Sequence, residues 1–211
     1  MGTPLRLLII LMGALLVAVV WTFPMWNSAL ENDLEDNSFP GLADALQPAF
    51  QNLPLDRQTA YRALAQQSPD IALALVQAAL GPDNPVPEAQ QVMPEMSSAR
   101  LVADGIFVSP ETSRDSEGTA VIYQLADNRR TLRLENFRVT NGPDLRVILA
   151  RSPNPQKAED VGTDYIDLGA LVGNVGSQNY ELPAEADLSI YQSVVIYSVR
   201  YGIVFSVARL V

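Results

Sequence analysis

The sequence predicts a mainly β fold, an antiparallel β-sandwich or barrel of about eight strands, preceded by an N-terminal transmembrane helix and a short αα-hairpin. Three observations predict it. Beyond residue 99, apolar and polar residues alternate in short runs broken by turn residues. Residues 41–81 instead space their apolar residues as a helix does. Residues 5–23 are almost continuously apolar. The organisation expected is therefore a membrane anchor over 1–26, an acidic loop over 27–40, a helical hairpin spacer over 41–81, a proline-rich linker over 82–98, and a β-domain over 99–211.

The leading segment, LRLLIILMGALLVAVVWTF, is interrupted only by Arg6. A helix from Leu7 to Phe23 spans roughly 25 Å, close to a hydrocarbon core. Trp21 and Trp26, the chain's two tryptophans, fall where indole rings favour the headgroup interface. Pro24 ends the helix. Arg6 precedes the span while Glu31, Asp33, Glu35 and Asp36 follow it, so the positive-inside rule puts the remainder outside the cytoplasm, as at a bacterial inner membrane. A cleaved signal peptide is the competing reading and predicts the same side.

Pro54-Leu55-Asp56 opens an amphipathic stretch in which Tyr61, Leu64 and Ala65 share a face. Ser68-Pro69 reads as an N-cap followed by proline at the first helical position. Ile71, Ala72, Leu75, Val76 and Ala79 continue at helical spacing, and Gly81 reads as the residue that closes the helix. Residues 82–98 then carry repeated prolines and read as a semi-rigid linker.

In the β-domain, strands are expected around Leu101–Val108, Ala120–Leu125, Thr131–Phe137, Leu145–Leu149, Tyr165–Leu168, Asn179–Leu182, Val194–Val199 and Ile203–Val207. Asn141-Gly142-Pro143 and Ser152-Pro153-Asn154-Pro155 are among the turns between them. Val194, Ile196 and Ser198 share one face of their strand. Val195, Tyr197 and Val199 share the other, which faces either solvent or a second layer.

Composition narrows function. The chain carries 24 acidic and 14 basic residues, a net charge of −10, which argues against phosphate-backbone binding and so against a nucleic-acid partner. It contains no histidine and no cysteine. That removes zinc sites of the usual kind, disulfides, thiolate nucleophiles and Ser-His-Asp catalysis. No catalytic residue, cofactor-binding residue or metal ligand is expected, and no cofactor. Glu159, Asp160, Asp164 and Asp167 supply carboxylates suited to Ca²⁺, but without a known calcium-loop pattern they read as a solvated loop. The expected partners are the membrane, through the single-pass anchor, and a protein.

One set of strings is distinctive: Gly105-Ile-Phe-Val108, Gly118-Thr-Ala120, LRLENFRVTNGPDLRVIL over 132–149, Leu168-Gly169, Gly176-Ser-Gln-Asn-Tyr-Glu-Leu-Pro183, Tyr191–Tyr197 and Phe205–Leu210. Together they resemble the DM-thirteen domain found in Skeletor-type proteins and in bacterial membrane-anchored proteins, over about residues 99–211. The resemblance implies an extracytoplasmic β-domain with an electron-transfer role resting largely on one recurrent cysteine. Here that position is Ser198, and two positions where the family often carries histidine are Arg114 and Arg146. A hydroxyl cannot cycle through thiol oxidation states, and arginine stays protonated and cannot ligate a metal. Arg114, Arg146 and Ser198 are thus the candidate vestigial family site, expected in one region of the domain. The two arginines either converge on an anion or pair with Asp115 and Asp144. The expected function is a non-catalytic, membrane-anchored binding module outside the cytoplasm. The alternative is an accessory electron-transfer domain whose cofactor comes from a partner.

Overall fold

The computed structural model describes residues 38–92 and 99–211. The expected anchor over 1–26, with Trp21 and Trp26, lies outside the described residues, as does nearly all of the acidic loop. Among the described residues no helix is long and apolar enough to cross a membrane.

Eight strands carry the fold: β1 (Arg100–Val108), β2 (Ser116–Gln124), β3 (Arg130–Val139), β4 (Leu145–Ala150), β5 (Tyr165–Ala170), β6 (Gln178–Leu182), β7 (Ser193–Ser198) and β8 (Ile203–Arg209). They form one antiparallel sheet in the order β5-β4-β7-β8-β1-β2-β3-β6, a nearly closed barrel and not two facing sheets. Register shifts interrupt four of the pairings, at Leu101/Ala103, Glu117/Thr119, Val147/Ile148 and Ile196/Tyr197. Each extra residue bends its strand and increases its twist, which is what lets a sheet this wide curl on itself.

Curling brings the two edge strands, β5 and β6, together. Side chains close the seam. Gln178, fully buried, accepts from the Val172 N–H at 3.0 Å and donates through Nε2 to the Gly173 carbonyl at 2.9 Å. The Tyr180 hydroxyl donates to Gln178 Oε1 at 2.7 Å and lies 3.2 Å from the Ala170 carbonyl. These bonds replace a missing backbone ladder.

Burial pushes the Tyr180 hydroxyl up to about 12, against about 10 for an exposed tyrosine. In that interval the folded state holds a proton that the unfolded state has lost. Stability from the neutral hydroxyl is therefore complete below about pH 10 and falls as pH rises through 12, by about 2–3 kcal/mol. Urea melts at about pH 9 and about pH 11.5 should show the loss, and Tyr180→Phe should remove a large share of it. An unchanged slope in Tyr180→Phe would refute the assignment.

The helical segment comprises a 3₁₀ turn (Asp44–Leu46), α1 (Gln47–Gln51), α2 (Leu55–Gln67) and α3 (Pro69–Ala79). Proline at the first position of α3 starts that helix. Two details differ from expectation. The Ser68 side chain makes no capping hydrogen bond, and Gly81 does not enter the left-handed region. The end of α3 instead tightens, with Leu80 and Gly81 N–H groups donating to Val76 and Ala78 carbonyls.

More consequential is what these helices cover. Phe39, Phe50, Tyr61, Leu75 and Val76 belong to the same buried cluster as the barrel interior, with Leu132, Phe137, Val147, Ile196 and Phe205. Tyr61 donates to the Ser113 carbonyl at 3.4 Å, and Arg57 pairs with Asp115. Both contacts fall on the β1–β2 connection, so the helices plug the barrel end that carries it. Burying a side chain of the size of Phe39 or Phe50 stabilises by about 1.5–3 kcal/mol. A segment read as a spacer thus completes the core.

Residues 82–92, read as linker, are likewise seated. Val86 is buried and its N–H donates to the Val175 carbonyl at 2.8 Å. Asp83 pairs with Arg138 at 2.9 Å, and the Asn84 N–H donates to Asn174 Oδ1 at 2.6 Å. The short α4 (Glu88–Gln91) follows, and the Gln91 carbonyl accepts from Arg133 at 3.1 Å.

A second, smaller core lies outside the barrel wall. Ile148, Val195, Tyr197, Val204 and Val207 pack with Val161 from α5 (Ala158–Val161). This decides the two-sided pattern of β7: Tyr197 faces a second layer, while Val199 stays exposed.

Candidate functional site

Ser198 ends β7 on its inward face, paired with Leu145 of β4 and Ile203 of β8. It is fully buried, and its hydroxyl donates to the Pro143 carbonyl at 2.7 Å. That carbonyl belongs to the β3–β4 turn, which is tightly placed. A β-carbon on Gly142 would fall 2.3 Å from Cζ of Phe205. The Asp144 carboxylate accepts from the distant Arg200 N–H at 3.3 Å.

Arg114 lies in the β1–β2 connection, against the helical plug. Its side chain is 6% exposed, and its guanidinium carbon stands 5.1 Å above the Phe205 ring. The expected partner Asp115 is taken by Arg57. The nearest acid is Glu111, at 3.6 Å, too long for a hydrogen bond. Nε is buried and unpartnered. Burial lowers the arginine's affinity for its proton, with Glu111 and Tyr61 opposing the shift, although arginine remains charged throughout the working range.

Arg146 sits one residue along β4 from Leu145 and so faces outward, opposite Tyr197 of β7. Its Nε donates to Asp167 Oδ2 at 2.7 Å, and not to Asp144. That hydrogen bond raises its pKa.

All three positions lie toward one end of the barrel, at the β1–β2, β3–β4 and β7–β8 connections. They do not form one cluster. Ser198 points inward, Arg146 outward, and Arg114 into a cleft lined by neither. Three of the four carboxylates between Glu159 and Asp167 are engaged. Asp160 accepts from the Gln156 N–H at 2.9 Å, Asp164 pairs with Arg151 at 2.6 Å, and Asp167 holds Arg146. Among the described residues no three acidic side chains converge on a point where a metal could sit.

Sequence reasoning missed the burial of Arg114. An arginine between Ser113 and Asp115 carries no periodic signal. Its burial comes from helices some fifty residues away, so only the tertiary fold could reveal it.

Residues 107–210 match the model of the family described as Electron transfer DM13. The matched stretch runs from the end of β1 through β8, and holds Arg114, Arg146 and Ser198. No curated protein and no solved structure matches the chain.

Proposed function

This chain carries a DM13 domain of the electron-transfer family over residues 107–210, and from that premise we propose that it is a membrane-anchored, extracytoplasmic, non-catalytic binding module. The observation that carries the proposal is Ser198. At the position where the family resemblance expects a redox-active thiol, a hydroxyl is buried and committed to the Pro143 carbonyl. It has neither the oxidation chemistry nor the exposure that electron exchange through a thiol requires. The fold is kept and the reactive atom is replaced by a structural one.

Contact is the use that remains, and the outer face of β1 suits it. Ile106 is 72% exposed and Val108 63%, with Leu101 and Val102 exposed further along the strand. Such a run of large apolar side chains marks interaction surfaces. Asp104 and Glu117 flank it, on a chain of net charge −10. The partner that fits is a protein with an apolar centre rimmed by basic residues. The second reading, an accessory electron-transfer domain with a partner's cofactor, is favoured by the family's description alone.

One experiment separates the readings. Full-length chain, solubilised from washed membranes, should run as a stable complex that Ile106→Glu with Val108→Glu dissociates without lowering the melting temperature. The complex should lack a visible absorption band that bleaches on reduction. A chain found in the cytosol, or one that runs alone, would overturn the binding module. A reducible chromophore in the complex would install the electron-transfer reading.

A further inference from the structure

Asn141-Gly142 is the sequence's sole Asn-Gly pair, and every other asparagine precedes a residue that carries a side chain. With no β-carbon on Gly142, its nitrogen is open to close approach. Packing demands glycine there as well. A β-carbon would collide with the Phe205 ring and lie 3.1 Å from Cδ2 of Leu145, so the core holds Gly142 in place. Its N–H points at the neighbouring side chain, donating to Asn141 Oδ1 at 3.0 Å. Cγ of Asn141 is the carbon bonded to that oxygen. The amide nitrogen Nδ2 is turned the other way, 3.4 Å from the Pro82 carbonyl. A cleft of about 280 Å³ opens on the pair, lined also by Asn84, Asp144 and Asn174, so water reaches both residues.

Nucleophile, electrophile and leaving group thus stand in order. Holding reacting atoms about 3–3.5 Å apart turns a rare encounter into an intramolecular step. We propose that Asn141 is a self-modification site, at which the β3–β4 turn converts asparagine to isoaspartate and frees Ser198 from its tether. The Gly142 amide gives its proton to water and its nitrogen bonds to Cγ. The Cγ–Nδ2 bond breaks, and Nδ2 takes up a proton and leaves as ammonia. A five-membered imide remains, and a second water opens it. Opening at the side-chain carbonyl gives aspartate. Opening at the main-chain carbonyl gives isoaspartate, with the backbone rerouted through Cβ and Cγ.

The isoaspartate has the larger effect, because it adds a carbon to the main chain. Gly142 cannot retreat into Phe205, so the displacement passes to Pro143. The Pro143 carbonyl accepts from the Ser198 hydroxyl at 2.7 Å, and Ser198 is fully buried. A buried hydroxyl stripped of its partner destabilises the fold. The inference does not depend on the β1 surface.

The test ages the full chain in detergent micelles near neutral pH, in native buffer and in parallel in urea. Peptide mass spectrometry follows the amide-to-acid conversion, and a protein-isoaspartate methyltransferase with labelled S-adenosylmethionine counts isoaspartate. Asn128 is the control, an exposed turn residue followed by Arg129. Asn141 should convert about tenfold faster than Asn128 or more, and at least as fast folded as in urea. The aged chain should melt at a lower temperature than the fresh one, in proportion to its isoaspartate, and methyltransferase repair should reverse the loss. Asn141→Gln must close a larger ring, so it should neither convert nor lose stability with age. Asn141→Asp carries the new charge without the extra carbon and should melt closer to the fresh chain than to the aged one. Should Asn141→Gln fail to fold, the parent ageing series and Asn141→Asp carry the test. An Asn141 that converts in urea but not in the folded chain would overturn the site. Ageing without a fall in melting temperature, or Asn141→Asp as unstable as the aged chain, would overturn the release of Ser198.

Discussion

Gln178→Ala is expected to lower the stability of the fold by about 4 kcal/mol, a large part of what a domain of this size possesses. The side chain is fully buried and joins three groups: the Val172 N–H, the Gly173 carbonyl and the Tyr180 hydroxyl. Truncation leaves each of them short of a partner, at about 1–3 kcal/mol apiece before water enters the space. Chemical denaturation of the variant measures the loss. Gln178→Met separates the causes, since it fills the volume but forms none of the bonds. Met should be nearly as destabilising as Ala. If Met matches the parent chain, volume and not hydrogen bonding holds β5 to β6. Amide exchange should quicken first in β5 and β6, between which no backbone ladder runs.

Gly118→Ala should be comparably damaging, at about 4 kcal/mol, for a different reason. Gly118 has φ of +104° and sits where the β2–β3 register shifts. A β-carbon there would lie 2.6 Å from the Glu135 carbonyl oxygen and 2.8 Å from Cα of Phe137. These are backbone atoms of a central strand and have no rotamer to escape into. Backbone strain contributes about 1–3 kcal/mol and the clash a similar amount. Gly169→Ala is the matched control. Its φ is +122°, but nothing lies within 4 Å of the new carbon, so it should show the strain alone. Thermal melts of the two variants test this directly, and equal losses would mean that β3 yields.

The strands were legible because their alternation survives as inward and outward faces, as in Leu132 and Leu134 on β3 or Leu145, Val147 and Leu149 on β4. Closure was not legible. Alternation says which side of a strand is buried and nothing about whether the sheet curls into one barrel or folds as two layers. The bulges that decide this leave no strong local mark. Gln178 shows the difficulty: a polar residue inside a strand reads as outward-facing, yet here it is the clasp of the seam. Residues 82–92 were read from their prolines, which report backbone stiffness and not what the backbone rests against. Several of the hydrogen bonds that seat them run through main-chain groups of Asn84, Val86 and Gln91, to which sequence pattern is blind. Ser198 could be placed in advance on the inward face of its strand. The separation of Arg114 from Arg146 could not, because it depends on the helical plug.

That plug changes what counts as the unit of folding. The family match begins at residue 107, near the end of β1, whereas among the described residues the continuous core begins at Phe39. A truncation at the matched boundary would cut through a strand and remove the helical part of the shared core, exposing an oily socket to water. The region inherited as a recognisable module is therefore smaller than the object that melts. The helical segment between Phe39 and Ala79, which the family match does not reach, serves as a built-in cork for a vessel that would otherwise stand open at one end.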